Sequence, residues 1–272
     1  MAVLDRYDNI NGYTVLDLIK SNVHTETYRV EDTDGKHYFL KLFSIKELPT
    51  AMINAKTGTV HEIEYSKSIN HRNIIRTIAD GRFDNDRGSY QYYITSYFNG
   101  QILADKIATT GKLGEEEALK IFRGLLSGLG HLHGLSPALC HNDLDTSNII
   151  IQENQEGEPV IIDLGHISKR SFGTVHFNTS DLDPLYHANE TMVNIFDEKG
   201  DIFSACAVLF AMLTGNAPWD MEIQAEGTYK DKFKELAAFR KKNRIDFSQV
   251  TASPKVQFIL EKGLAVKSED RI

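Results

Sequence analysis

The sequence predicts an α+β fold in two parts, a small β-rich part followed by a larger, mostly helical one. Three observations predict it. From Gly12 to about Phe98, short β-like runs alternate with turn signals; after Asn99-Gly100 the pattern turns helical; and the longest apolar run, residues 202–213, reads as a buried helix of the second part. At 272 residues, with 41% hydrophobic and 25% charged residues, the chain has the ordinary composition of a globular protein with one large or two small cores.

In the first part, residues 13–19 and 27–31 read as strands, and Asp32-Thr33-Asp34-Gly35 is a turn into a third strand at 38–43. A helical pattern follows with Val60 and Ile63 on one face. Residues 77–83 and 90–96 read as a hairpin around the 84–88 turn. The expectation is five antiparallel strands and one main helix in residues 1–98. In residues 99–272, Glu115-Glu116-Glu117 opens a helix with acids where the helix dipole favours them. Ile121, Leu125, Leu129 and Leu132 form its apolar face, and Gly134 marks its end. Residues 149–151 and 160–162 are short strands around a turn at 154–158. Helices at 201–214, about 230–242 and 253–264 complete the chain.

The net charge of −8, with both signs interspersed, argues against nucleic acid or an anionic membrane as the main partner. The 202–213 run is too short for a bilayer, which takes about 20 residues, so no membrane segment is expected. Charges run through the first ten residues, so no secretory signal is expected there. Two cysteines, Cys140 and Cys206, fit buried thiols in a reducing compartment, and a cytoplasmic location is expected.

The chemistry-bearing segments lie in the second part. His141-Asn142-Asp143-Leu144-Asp145-Thr146-Ser147-Asn148 sits between a helical and a strand pattern, and Asp163-Leu164-Gly165 begins 15 residues after Asn148, behind Val160-Ile161-Ile162. In this order they resemble the catalytic loop and metal-binding motif of the protein kinase family. Other landmarks match. Tyr38-Phe39-Leu40-Lys41 ends in a lysine on the third strand, and Glu62 precedes His71-Arg72-Asn73 by nine residues. Ala188-Asn189-Glu190 resembles the end of an activation segment, Asp201 opens the buried helix, and Arg271 stands where the family's late arginine pairs with the Glu190 position. The resemblance covers residues 13–272.

The resemblance implies a bilobal protein-kinase-like fold with a small β-rich N-lobe and a larger helical C-lobe. It implies transfer of the γ-phosphoryl group of ATP to a serine or threonine hydroxyl of a protein substrate. Such transfer needs positioning and charge neutralisation more than covalent help. Lys41, fixed by Glu62, is expected on the phosphates; Asn148 and Asp163 supply oxygens for Mg²⁺ or Mn²⁺; Asp143 orients the hydroxyl and takes its proton. Ser96 and Phe98 are expected to offer backbone groups to the base and Ile150 to form its floor. Since Ile272 precedes the family's last helix, further domains of a longer protein are expected.

Taken singly, these residues have plainer readings. A strand lysine is usually a solvated charge, and His131 and His133, two apart on a helix, point away from each other. The ordered coincidence carries the resemblance. The chain also departs from it. The three glycine positions of the phosphate loop hold Lys20, Asn22 and Thr25, so side chains should weaken the grip of backbone N–H groups. Phe39 replaces a small residue over the base and is expected to turn beneath the sheet. Asn142 replaces an arginine that reads activation-segment phosphate, so phosphate on Ser168, Ser171, Thr174 or Thr179 is not expected to act as a switch through it. Asp145 replaces a lysine and should cost rate. The five retained polar groups favour an active kinase; the altered loop and Phe39 favour a pseudokinase, a binding or allosteric module without turnover. A small-molecule kinase would need neither the Ala188-Asn189-Glu190 nor the Asp201 feature.

Overall fold

The computed structural model describes residues 2–153, 156–173, 177, 182–221, 223 and 228–272. Asn154, Thr174 and Thr179, named above, lie outside the described residues. The chain divides into two compact units, Met1–His71 with Ile75–Phe98, and Arg72–Ile74 with Asn99–Ile272. Residues 72–74 cluster with the second unit because Asn73 donates its amide to Pro159 O at 2.8 Å and accepts Ile161 N through its carbonyl, while Ile74 bridges to Ile161.

The first unit is a six-stranded antiparallel sheet with one α-helix. Its strands are β1 (Asn9–Ile10), β2 (Tyr13–Ser21), β3 (Thr25–Glu31), β4 (His37–Ser44), β5 (Thr77–Asn85) and β6 (Gly88–Ser96), in the order β1-β2-β3-β4-β6-β5. This is one strand more than the sequence pattern predicts, because two-residue β1 is too short to show alternation. On one face Tyr28, Val30, Leu40, Leu42 and Ile94 form a core that Leu4 and Ile10 complete. The N-terminal segment is tied down by Val3 N–H donating to Glu26 Oε2 at 2.9 Å and Leu4 N–H to the Tyr28 hydroxyl at 3.0 Å. On the other face Phe43, Leu48, Tyr93 and Val60 pack with Ile63 of α1 (His61–Ser66).

The second unit runs β7 (Gly100–Ile102), α2 (Leu103–Thr110), α3 (Glu115–His133), β8 (Leu139–Cys140), β9 (Ile149–Gln152), β10 (Pro159–Ile161), β11 (Ser168–Lys169), β12 (Ser171–Phe172), β13 (Ile195–Phe196), α4 (Glu198–Thr214), α5 (Tyr229–Lys242) and α6 (Pro254–Gly263). Sequence periodicity finds α3, α4, α5, α6, β9 and β10; it misses α2, β7 and the two-residue strands. The predicted apolar face of α3 is buried, whereas Gly134 ends the helix in a right-handed conformation, φ −84°, where no glycine is required. From Phe203 to Leu213 every residue of α4 is buried, as a helix apolar all round must be. Its Asp197 cap accepts Gly200 N–H at 3.0 Å. At its other end Gly215, φ +91°, leaves no room for a Cβ, which would lie 2.3 Å from Gly111 O. No described helix is long and apolar enough to cross a membrane.

Candidate active site

In the first unit, strand alternation puts Lys41 on the β4 face that packs against α1, and one turn of helix presents Glu62 to it. Lys41 Nζ lies 2.7 Å from Glu62 Oε1, and the Tyr93 hydroxyl donates to the same oxygen at 2.6 Å. Glu62 is 5% exposed, so a buried carboxylate is held by a cation and a hydroxyl together. Phe39, two residues from Lys41 on β4, shares the Lys41 face. Its half-buried ring lies against Tyr97 with centroids 5.0 Å apart. Half-buried Ser96 ends β6, where its N–H donates to Arg76 O at 3.1 Å, and half-buried Phe98 follows two residues beyond the strand.

The β2–β3 connection is closed on itself. Asn22 Oδ1 accepts His24 N–H at 2.9 Å, Thr25 N–H at 2.7 Å and the Thr25 hydroxyl at 3.2 Å, while Asn22 N–H donates to Thr25 O. The backbone donors that a glycine-rich loop would leave for phosphate are spent on the Asn22 amide.

In the second unit, Asp143 and Asn148 come together. Asn148 Nδ2 donates to Asp143 O at 2.8 Å and to Asp143 Oδ2 at 3.3 Å. With its nitrogen so engaged, Asn148 keeps Oδ1 for a cation. Ile162 N–H donates to Asn148 O at 3.0 Å, which sets Asp163 beside Asn148 along the backbone, and Asp163 Oδ1 accepts Gly165 N–H at 2.8 Å. An amide and a carboxylate oxygen form a hard donor set that fits Mg²⁺ or Mn²⁺. Ile150 is buried on β9 at 7% exposure.

The departures in the catalytic loop each have local work. Asn142 adopts φ +67°, a region asparagine tolerates, and its amide donates to His166 O at 2.7 Å, Ser168 Oγ at 3.0 Å and Cys140 O at 3.2 Å. Asp201, 1% exposed, accepts His141 N–H and Asn142 N–H, each at 2.9 Å. Asp145 caps the 3₁₀ turn Thr146–Asn148: its Oδ1 accepts Ser147 N–H and Ser147 Oγ, each at 2.6 Å, and Asn148 N–H at 3.1 Å. Burial holds the Asp145 carboxyl above its usual 3.8, against the Ser147 bonds, and Asp143 and Asp183 push the same way. Glu190 and Arg271 pair through both carboxylate oxygens, one contact at 2.8 Å, with the Arg271 side chain fully buried.

Three site residues escape sequence reasoning. His166 Nδ1 lies 2.9 Å from Asp143 Oδ2, and no motif singles it out. His187, 2% exposed, sets Nε2 2.8 Å from Asn142 O and Nδ1 2.6 Å from Asp183 O. Arg240, 4% exposed, donates to His187 O, Leu185 O, Pro184 O and Asn189 Oδ1 while its guanidinium lies over Trp219 at 4.8 Å. Burial pushes its pKa down. A signal for Arg240 existed: Phe233, Leu236, Ala237 and Arg240 make an i, i+3, i+4, i+7 stripe in which a cation takes an apolar place. His133, Cys140 and Asp201 bring three ligand atoms within 4.8 Å of one another, but Asp201 already accepts two backbone N–H groups and faces His133 Nε2 at 2.8 Å. That cluster is structural.

The family model described as "Protein kinase domain" matches residues 27–272. The chain belongs to the protein kinase family. This kinase domain is 31% identical over 197 residues to "Probable serine/threonine-protein kinase MARK-B" of Dictyostelium discoideum, covering 71% of the chain and 26% of that relative. It is 30% identical over 204 residues to "Serine/threonine-protein kinase chk1" of Schizosaccharomyces pombe, covering 73% and 39%. It is 24% identical over 247 residues to "Probable inactive serine/threonine-protein kinase samkD" of Dictyostelium discoideum, covering 88% and 43%. The chain thus spans between about a quarter and 43% of the length of these relatives.

Proposed function

We propose that this domain is an ATP- and Mg²⁺-dependent kinase that phosphorylates serine or threonine hydroxyls of a protein substrate in the cytoplasm. The observation that carries the reading is the Asp143–Asn148 arrangement, a buried carboxylate whose partner amide is turned to leave its oxygen for a cation. Lys41, held by Glu62, binds the phosphates of the nucleotide substrate. Ser96, Phe98 and Ile150 hold its base. Asn148 and Asp163 hold Mg²⁺, which supplies charge neutralisation at the phosphates. Asp143 orients the acceptor hydroxyl and takes its proton, a contribution of about 10²–10⁴-fold in rate. Relatives named serine/threonine-protein kinases support the acceptor class, and two buried free cysteines support a reducing compartment.

A second reading, a pseudokinase acting as a binding module without turnover, is favoured by the closed Asn22 loop and by a relative named inactive. Label transfer from γ-labelled ATP to a generic acceptor, with Mg²⁺ or Mn²⁺, separates the two. Transfer by wild type that falls at least about 10²-fold in Asp143→Asn, with the melting temperature retained, supports the kinase. Equal, undetectable transfer by both proteins with either metal overturns it in favour of the binding module.

A further inference from the structure

We propose that His166 is a positioning residue for Asp143, fixing the rotation of its carboxylate so that Oδ1 faces the acceptor hydroxyl. This rests on the kinase reading above. A carboxylate that takes a proton must present one oxygen, and a free carboxylate rotates about its last torsion. Here the two oxygens are unequal. Oδ2 accepts Asn148 Nδ2 at 3.3 Å and lies 2.9 Å from His166 Nδ1, an ion-pair distance without hydrogen-bond alignment. Among the described residues, the nearest cation-forming group to Oδ1 is His187 Nε2 at 4.0 Å, and that nitrogen is already 2.8 Å from Asn142 O.

His166 is itself held on two sides. Its carbonyl accepts the Asn142 amide at 2.7 Å, and its ring meets the buried Phe177 edge-on, with centroids 5.2 Å apart and planes at 88°. Phe177 packs in turn on Phe196, in the small core with Tyr229 and Phe233. The ring is packed against that core on one side, with Nδ1 2.9 Å from one oxygen of Asp143. The Asn142 position, the residue after Asp163-Leu164-Gly165 and the catalytic carboxylate thereby form one connected unit.

The test compares His166→Leu, which removes the nitrogen, with His166→Asn, whose amide nitrogen can take the place of Nδ1. Steady-state phosphotransfer should show kcat down by about 10–10²-fold in His166→Leu, with the nucleotide KM within about twofold, and most of that loss recovered in His166→Asn. Wild-type kcat in an active His166→Leu protein overturns the assignment and leaves the kinase reading intact. Equal losses in both variants, or KM changes that follow kcat, also overturn it by showing a role in packing alone. No transfer by wild type overturns both readings together. Ring ¹⁵N resonances keep the question open to refutation if His166→Leu does not fold. The His166 Nδ1 signal should move in Asp143→Asn, and an unmoved signal means the two groups do not meet.

Discussion

The loop at residues 22–25 and the loop at 141–148 both lack residues that the kinase pattern calls for, yet the losses differ in kind. At the first, one of the missing glycines is replaced by Asn22, whose oxygen takes two backbone N–H groups, so the donors needed for phosphate are consumed by the chain itself. At the second, each replacement holds backbone in place: Asn142 ties His166 O and Ser168 to the loop, and Asp145 caps the turn that carries Asn148. A departure from a motif weakens a site when it uses up the groups the ligand needs. It is tolerated when it satisfies groups the ligand never touches.

The largest expected effect tests the second loop. Asn142→Ala removes three side-chain hydrogen bonds and leaves alanine at φ +67°, which together should cost about 2–4 kcal/mol of stability. Denaturant melts measure it; a loss under about 0.5 kcal/mol would mean that the amide is not holding the segment. The same wiring bears on regulation. Ser168 is 2% exposed, so phosphate cannot reach it without opening the segment, and phosphorylation at Ser168 or Ser171 should not activate through Asn142. A large rate gain on phosphorylation that Asn142→Ala abolishes would contradict this.

A smaller effect tests the first loop. Asn22→Gly releases His24 N–H and Thr25 N–H and restores the backbone freedom that a phosphate cradle uses. Calorimetry should show Mg-ATP binding tighter by about 3–10-fold, the worth of one or two net hydrogen bonds, with adenosine affinity unchanged. Unchanged or weaker Mg-ATP binding would show that the closed turn is not what limits the grip on phosphate, and would remove the contrast between the loops.

How much of this was legible in the sequence follows from the range of the interactions. Long elements with a repeating apolar face, such as α3 with Ile121, Leu125, Leu129 and Leu132, announce themselves because their signal is local and periodic. Two-residue β1 and three-residue β7 cannot, since their pairing is fixed by distant partners. The roles expected of Lys41, Glu62, Asp143, Asn148 and Asp163 came from motif order, and the structure shows the Lys41–Glu62 and Asp143–Asn148 contacts within their own units. What the sequence could not show was the use of the replacements. Asp145 read as a lost cation, yet its carboxylate is turned to backbone; Asn22 read as a lost glycine, yet it closes the loop. His166 meets Asp143 through a contact between distant parts of the chain, which no spacing reports, whereas Arg240 at least stood out as a cation in an apolar stripe.

The smallest effect isolates the charge of Asp145 from its capping. Its Oδ1 makes all three capping bonds, and asparagine caps as well as aspartate, so Asp145→Asn keeps the turn and removes only the buried charge. Burial first, and Asp143 and Asp183 with it, raise the folded-state pKa above the ordinary 3.8, while the Ser147 bonds oppose the rise. Below 3.8 the carboxyl is protonated in both states and the substitution should change little. As pH rises from 3.8 through the raised value, the unfolded chain sheds its proton first, so aspartate becomes a growing cost to the native state. Above the raised value that cost is constant. Asp145→Asn should therefore melt higher than wild type at neutral pH, with the gap closing as pH falls toward 3.8. Thermal melts of both proteins from about pH 4 to pH 8 measure the gap. A variant that melts lower at neutral pH, or a gap that widens in acid, would mean that the carboxylate is stabilised in the fold and that the lost lysine was replaced by a useful charge.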